Sequence, residues 1–339
     1  MATMKQLWWT AKDKIELKDV EIPAVGPNEV KVKIAYAALC ATDVHQVTMG
    51  VMGAKPPAPL GHEASGTIVE IGEKAEAAGY KVGDKVALFP VSHCGECEWC
   101  KKGMTQYCIN AKPTGAFAQY VVTDVKTIYK LPDNVDLKEY AIVEPTNCCL
   151  RAMDLAPIRH GATVCVAGVG GIGSIMLNQI VLSGAARITV IEPVAEKRQM
   201  ALDMGAAYVI DPFNEDTAAR AMEITDGIGF DFVFEMSGSP KAAGTPLKIL
   251  ARCGTAVYFA VFPPAYEMPL NLHDLYMKEG RIQTVFTTTS IMPRAIHMIE
   301  RMQTDRIIGK IMPLCEAVES FDVFKTSKYP KILLDCSEP

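Results

Sequence analysis

Between His93 and Cys108 the chain reads HCGECEWCKKGMTQYC, which spaces Cys94, Cys97, Cys100 and Cys108 as C-x2-C-x2-C-x7-C. Four thiolates from one short loop can close a tetrahedral shell around zinc, and a closed shell leaves no position for a substrate. Four incidental core thiols are the poorer reading, because Glu96, Glu98, Lys101 and Lys102 surround them and such a loop resists burial. A structural zinc is expected here, with the reactive centre elsewhere.

Three other segments carry residue types suited to reaction chemistry. LCATDVH gathers Cys40, Thr42, Asp43 and His45; PLGHEASG holds His62 and Glu63; AIVEPTNCCL holds Glu144 ahead of Pro145. A cysteine, a histidine and a carboxylate can form a three-ligand zinc shell whose fourth position stays open to water or substrate. Each residue also has a plain reading: a core thiol, a turn histidine, a solvated acid at a helix start. Spacing alone does not bring the segments together. AGVGGIG places Gly168, Gly170 and Gly173 in the G-x-G-x-x-G pattern, with Gly171 and Ile172 between them. It follows the apolar run TVCVA, opens a helical stretch, and is followed by RITVIE, whose Glu192 falls where an acid can take the adenosine ribose hydroxyls. In that context the glycines serve the tight turn, the approach of a pyrophosphate and close helix packing, and the helix N-terminus receives the phosphates.

The elements that must position these residues fall into two textures. Up to about residue 147, short alternating strands (EVKVKIAYAAL, ASGTIVEIG, GDKVALFPV, AFAQYVVTD) are punctuated by Gly and Pro, the pattern of half-buried β-structure. From about residue 160, apolar strands alternate with helices: ATVCVAGVG, RITVIE, AYVID, FDFVFEMSG and GTAVYFAVF. That alternation predicts a parallel sheet covered on both faces. The tail returns to mixed texture, with a helix MPRAIHMIERM and a strand KILLDC.

Composition bounds the rest. At 339 residues two domains are the default, and 49 % hydrophobic with 22 % charged residues describes a packed globular chain. A net charge of −5 gives no reason to expect nucleic acid or an anionic membrane as partner. Charges interrupt MATMKQLWWTAKDKIELKDV every few residues, so neither a signal peptide nor a membrane span is expected. Eleven cysteines without an export signal point to the cytoplasm.

On GHEASG, CGECEWCKKGMTQYC, the EP pair at Glu144 and AGVGGIG, the chain resembles the zinc-dependent medium-chain alcohol dehydrogenases, especially the sorbitol, polyol and threonine dehydrogenase branch, nearly end to end. The resemblance implies an α/β protein: a barrel-like (GroES-like), mainly-β catalytic domain from residues 1–147 plus 288–339, and an inserted doubly wound Rossmann domain from 148–287. It implies two zinc ions and NAD. Cys40 and His62 would hold the catalytic zinc, Glu144 would fall at the third ligand position, and Glu63 would be a near ligand that exchanges with the metal. Asp43 would orient the histidine, Thr42 would accept the substrate's proton, and His45 would pass it to solvent. Lys197 would support the adenosine ribose, and Val285 and Phe286 would flank the nicotinamide. Relatives are usually homodimers or homotetramers joined through sheet edges of the cofactor domain.

The reaction implied is oxidation of a secondary alcohol, of polyol, sugar-alcohol or cyclitol type, to a ketone. An L-threonine-type 2-amino-3-hydroxy acid is the alternative substrate, and no Arg pair is placed for a phosphate or carboxylate, which favours neutral polyols. Two other classes compete: a non-catalytic zinc-stapled NAD-binding protein, and a zinc lyase or hydrolase with a fixed dinucleotide. Thr42 and His45 together argue against both, since they make sense as a proton path from an alcohol. The resemblance departs in two places: only six residues separate Cys108 from GAFAQY, and PTNCCL follows Glu144 where small apolar residues are usual. Cys148, a turn beyond Glu144, reads as a buried thiol or one that faces the nicotinamide, MGVMGAKPPAP as packing or a substrate entry, and His93, His160, His273 and His297 as structural or surface residues.

Overall fold

The computed structural model describes residues 2–50, 55–288 and 291–337, so Val51–Ala54 of the MGVMGAKPPAP run lie outside the described residues. The chain forms two compact units, Met1–Asn147 with Thr288–Pro339, and Cys148–Thr287.

The first unit is mainly β. Its larger sheet orders the strands Ile128–Lys130, Lys85–Leu88, Glu63–Ile71, Glu29–Ala38, Lys331–Asp335 and Ile308–Pro313, with Tyr120–Asp124 also bonded to Glu29–Ala38. Glu29–Ala38 shows why these sequences make strands. Val30, Val32 and Ile34 alternate inward and are fully buried, joining Leu7, Ile68, Leu88 and Phe117 in one core, whereas the intervening lysines face outward. Register then does the positioning. Ala38 pairs with Glu63 on one side and with Leu333 on the other, both antiparallel. The chain leaving Ala38 reaches Cys40 two residues later. Cys40 is therefore flanked by the start of one neighbouring strand, at Glu63, and the start of the other, at Lys331.

The second unit is a sheet of six parallel strands in the order Tyr208–Ile210, Arg187–Ile191, Thr163–Ala167, Phe230–Glu235, Leu250–Tyr258 and Arg281–Thr284. Strands buried on both faces read as continuous apolar runs, and here Val164, Cys165, Val166, Val233 and Phe234 are wholly inaccessible. The helix Gly171–Leu182 is buried from Gly173 to Ile180, which explains its nearly unbroken apolar sequence. Among the described residues no helix is long and apolar enough to cross a membrane.

Candidate active site

Cys40 caps the helix Ala41–Met49, and its Sγ accepts a hydrogen bond from the Thr42 N–H at 3.5 Å. The helix N-terminus thereby fixes the position of the sulfur at the head of the helix. Asp43, buried on the first turn, braces two segments at once. Its Oδ2 accepts from the Cys40 N–H at 3.0 Å, while Oδ1 accepts from His62 Nδ1–H at 3.2 Å and from the Gly61 N–H at 3.3 Å. With Nδ1 committed to Asp43, the Nε2 of His62 is the nitrogen left for a ligand role.

Ligand atoms of Cys40, His62 and Glu63 lie within 4.8 Å of one another. Burial alone would lower the pKa of the His62 ring, but Asp43 and then Cys40 overcome it and hold the ring well above its usual value. A site that favours a proton so strongly favours a metal cation in the same place. Burial pushes the Glu63 carboxyl upward, while Lys331 and His62 oppose it and the nearby Glu144 charge adds to it. Lys331 Nζ donates to Glu63 Oε1 at 2.8 Å and stands 2.5 Å from Oε2, with the two side chains 2 % and 1 % exposed. Both carboxylate oxygens therefore face one buried ammonium. A carboxylate beside a thiol and an imidazole is a donor set that fits a zinc site keeping one position for exchange.

Glu144, expected at the third ligand position, is buried in the helix Val143–Leu155, near enough to Glu63 for its charge to act on that carboxyl. Thr42 and His45 lie on the same helix as Cys40, three residues apart and hence on one face. Half-burial lowers the pKa of His45, and its Nδ1 is buried without a hydrogen-bond partner. Lys331, 268 residues from Glu63, was not singled out by sequence. Its one signal is a lysine opening the otherwise apolar run KILLDC.

The four cysteines of the 93–108 loop also meet. Cys94 Sγ lies 4.0 Å from Cys100 Sγ and 3.6 Å from Cys108 Sγ. Four sulfurs ~2.3 Å from a shared tetrahedral centre stand about 3.8 Å apart, so the donors fit zinc. Backbone N–H groups converge on the sulfurs, with Cys97 N donating to Cys94 Sγ and Cys94 N to Cys108 Sγ. The N–H groups of Glu96 and then Cys97 bring the Cys94 thiol down to about 6.

In the second unit Gly168 adopts φ 94°, which favours glycine, and closes the strand-to-helix turn. A Cβ on Gly173 would sit 2.0 Å from the Gly168 carbonyl oxygen, whereas one on Gly170 would meet nothing within 4 Å. Gly170 caps the helix without offering a side-chain acceptor. The loop therefore packs tightly at Gly173 and presents open space and helix N–H groups at Gly170, Gly171 and Ile172, as a pyrophosphate requires. Glu192 is turned to the same loop: Oε2 accepts from the Val169 N–H and Oε1 from the Val194 N–H, each at 3.0 Å. Lys197 is buried, and desolvation lowers its pKa against the opposing pull of Glu192. Val285 and Phe286 follow the edge strand, and Phe286 is largely exposed.

Comparison with known proteins matches this architecture. Residues 26–133 match the alcohol dehydrogenase GroES-like domain and residues 171–301 the zinc-binding dehydrogenase model. The 2-dehydro-3-deoxy-L-galactonate 5-dehydrogenase of Pseudoalteromonas atlantica is 34 % identical over 332 residues, 94 % of this chain and 95 % of that one. The L-threonine 3-dehydrogenase of Pyrococcus furiosus is 34 % identical over 264 residues, 76 % of this chain and 75 % of that one. A solved chain from Sinorhizobium meliloti 1021, assigned as a zinc-binding dehydrogenase and bound to NADP, superposes with a TM-score of 0.92 at 28 % identity, covering 99 % of this chain and 100 % of its own. The chain belongs to the zinc-dependent medium-chain alcohol dehydrogenase family. It is an oxidoreductase of alcohol groups, in a family that pairs zinc with NAD or NADP, and its relatives act on sugar-derived acids and on L-threonine.

Proposed function

We propose that the chain oxidises a neutral secondary alcohol of polyol type to a ketone with NAD as hydride acceptor, using one catalytic and one structural zinc. The observation that carries this is the cluster of Cys40, His62 and Glu63 on the helix and strand starts that also hold Thr42 and His45. Cys40 and His62, with Glu63 or Glu144, would hold the catalytic metal, and Cys94, Cys97, Cys100 and Cys108 the structural one. Zinc, when bound, would polarise the alcohol oxygen. Thr42 then takes the hydroxyl proton, and His45, kept neutral by its surroundings, passes it to water. Asp43 holds His62 in the tautomer the metal needs.

Gly168 to Gly173 would bind the pyrophosphate, and Glu192 would accept the ribose hydroxyls. NAD is preferred over NADP because a 2′-phosphate would meet the Glu192 carboxylate at close range. The mainly-β unit is read as the catalytic domain and the parallel-sheet unit as the cofactor domain. Eleven free cysteines accord with a reducing cytoplasm. The edge strand Arg281–Thr284, next to exposed Leu272, Tyr276 and Met277, accords with a homodimer or homotetramer formed through that edge.

Purified enzyme should be offered polyols, cyclitols, sugar acids and L-threonine with NAD, following nicotinamide absorbance. Turnover of a neutral polyol is expected. Turnover of L-threonine alone would move the substrate class to the 2-amino-3-hydroxy acid reading that the Pyrococcus relative favours. No turnover of any alcohol by protein carrying both zinc ions would overturn the proposal.

A further inference from the structure

The parallel register pairs Ile191 with Ile210, so the residues that follow, Glu192 and Asp211, stand side by side at the ends of neighbouring strands. The two acids have different partners. Glu192 turns to the glycine loop, as described above, and Asp211 takes a cation. Arg198, in the helix Ala195–Met204, lays its guanidinium against the Glu192 main chain. Nη1 donates to the carbonyls of Glu192 and Pro193, both at 2.8 Å, and Nη2 pairs with Asp211 Oδ2 at 2.9 Å.

Asp211 is itself firmly placed. Its Oδ1 accepts from the Phe213 N–H at 3.0 Å and its Oδ2 from Asn214 Nδ2 at 2.9 Å, while its own N–H donates to Glu215 Oε1 at 2.7 Å. The side chains of Arg198 and Asp211 are only 18 % and 14 % exposed, so the pair is screened less than a surface one. A guanidinium is the side chain best shaped to grip a phosphate. Here one lies hydrogen-bonded to the backbone of the very residue expected to read the ribose, with both Nη1 and Nη2 engaged.

We propose that Asp211 is a specificity-determining residue: by sequestering Arg198 it denies the 2′-phosphate of NADP a countercharge. This rests on the reading of Glu192 as the ribose-binding acid. Rejection of NADP then has two layers, repulsion by Glu192 and withdrawal of Arg198, and removing the first alone does not create a phosphate site.

Dissociation constants for NAD and NADP can be measured by calorimetry on the zinc-loaded, full-length protein and its variants. Glu192→Gln should narrow the gap between the two coenzymes. Adding Asp211→Asn should improve NADP binding relative to NAD on the order of tenfold further, the gain expected for one freed guanidinium–phosphate contact. Arg198→Gln in the same background should abolish that second gain. Asp211→Ala serves as a second variant with the same expectation should the asparagine still hold Arg198. No improvement with either variant, or an improvement that survives Arg198→Gln, would overturn the role of Asp211. The wild-type ratio tests the NAD preference separately: equal binding of both coenzymes would refute that reading, while the Arg198-dependent gain would still decide for or against Asp211.

Discussion

Asp43 joins the two segments that carry the ligand pair, reaching His62 Nδ1 with one oxygen and the Cys40 N–H with the other. It lies on the first turn of the helix that Cys40 caps, so cap, helix and histidine are set by one carboxylate. Groups that orient metal-binding histidines typically change metal affinity 10–100-fold when mutated. Asp43→Asn should weaken zinc retention by about that factor in a chelator competition while leaving NAD binding unchanged. Retention equal to the parent's would show that His62 is oriented by something else.

Lys331→Met should be strongly destabilising. It strands the Glu63 carboxylate in a site with no access to water, and breaking one side of a buried pair costs roughly 3–5 kcal/mol. The double variant Lys331→Met with Glu63→Gln should recover most of that loss, because no charge is left to bury. Urea midpoints of the metal-free proteins measure both. A single variant as stable as the parent would mean that Glu63 is already neutral when folded.

Cys97→Ser tests the staple. Zinc content should fall by one ion per chain, and the melting temperature by roughly 10 °C, because a closed site contributes folding energy. The remaining ion should stay with Cys40 and His62. A variant that keeps its full zinc content and melting temperature would remove the assignment of the loop as a metal site.

His45 gives a pH dependence with a definite sign. Burial lowers its pKa in the folded state, so between that value and the ordinary 6.5 the unfolded chain binds more protons. Stability therefore rises with pH through that window; the contribution is fully present above it and fully lost below it. The acid limb of the turnover profile should lie in the same window, below 6.5, since a protonated ring cannot accept the relayed proton. His45→Gln should lower turnover at neutral pH on the order of a hundredfold, partly restored by small amine buffers, and should flatten the acid limb. A profile unchanged by the substitution would take His45 out of the proton path.

What could be read from the chain in advance depended on distance along it. The cysteine loop and the glycine turn are local: each packs its chemistry into fewer than twenty residues, and their spacing reflects geometry that the backbone alone can satisfy. The apolar runs of the parallel sheet were equally plain, because strands covered on both faces have no polar side to obscure them. Lys331 was not legible. Its place beside Glu63 comes from the pairing of Leu333 with Ala38, and strand register over such a separation leaves no mark in spacing. The ligand set was only partly legible, for the same reason: nothing in the spacing of Cys40, His62 and Glu63 shows that they meet, and only the fold brings their ligand atoms within 4.8 Å of one another. The hold of Asp211 on Arg198 was hidden by the two acids looking alike in sequence, each closing an apolar strand.

The Glu63–Lys331 bond has a consequence for how the protein is made. Its partners are 268 residues apart, and at ~5–20 residues per second a ribosome needs about 13–54 s to add that length. Throughout that interval the Glu29–Ala38 strand lacks one of its neighbours, Lys331–Asp335, and Glu63 has no Lys331 ammonium against it. The cysteine loop, by contrast, has all four sulfurs within a few seconds of translation. Metal loading of a nascent chain is therefore expected in a fixed order, the staple early and the reactive site only after Lys331–Asp335 has emerged and docked.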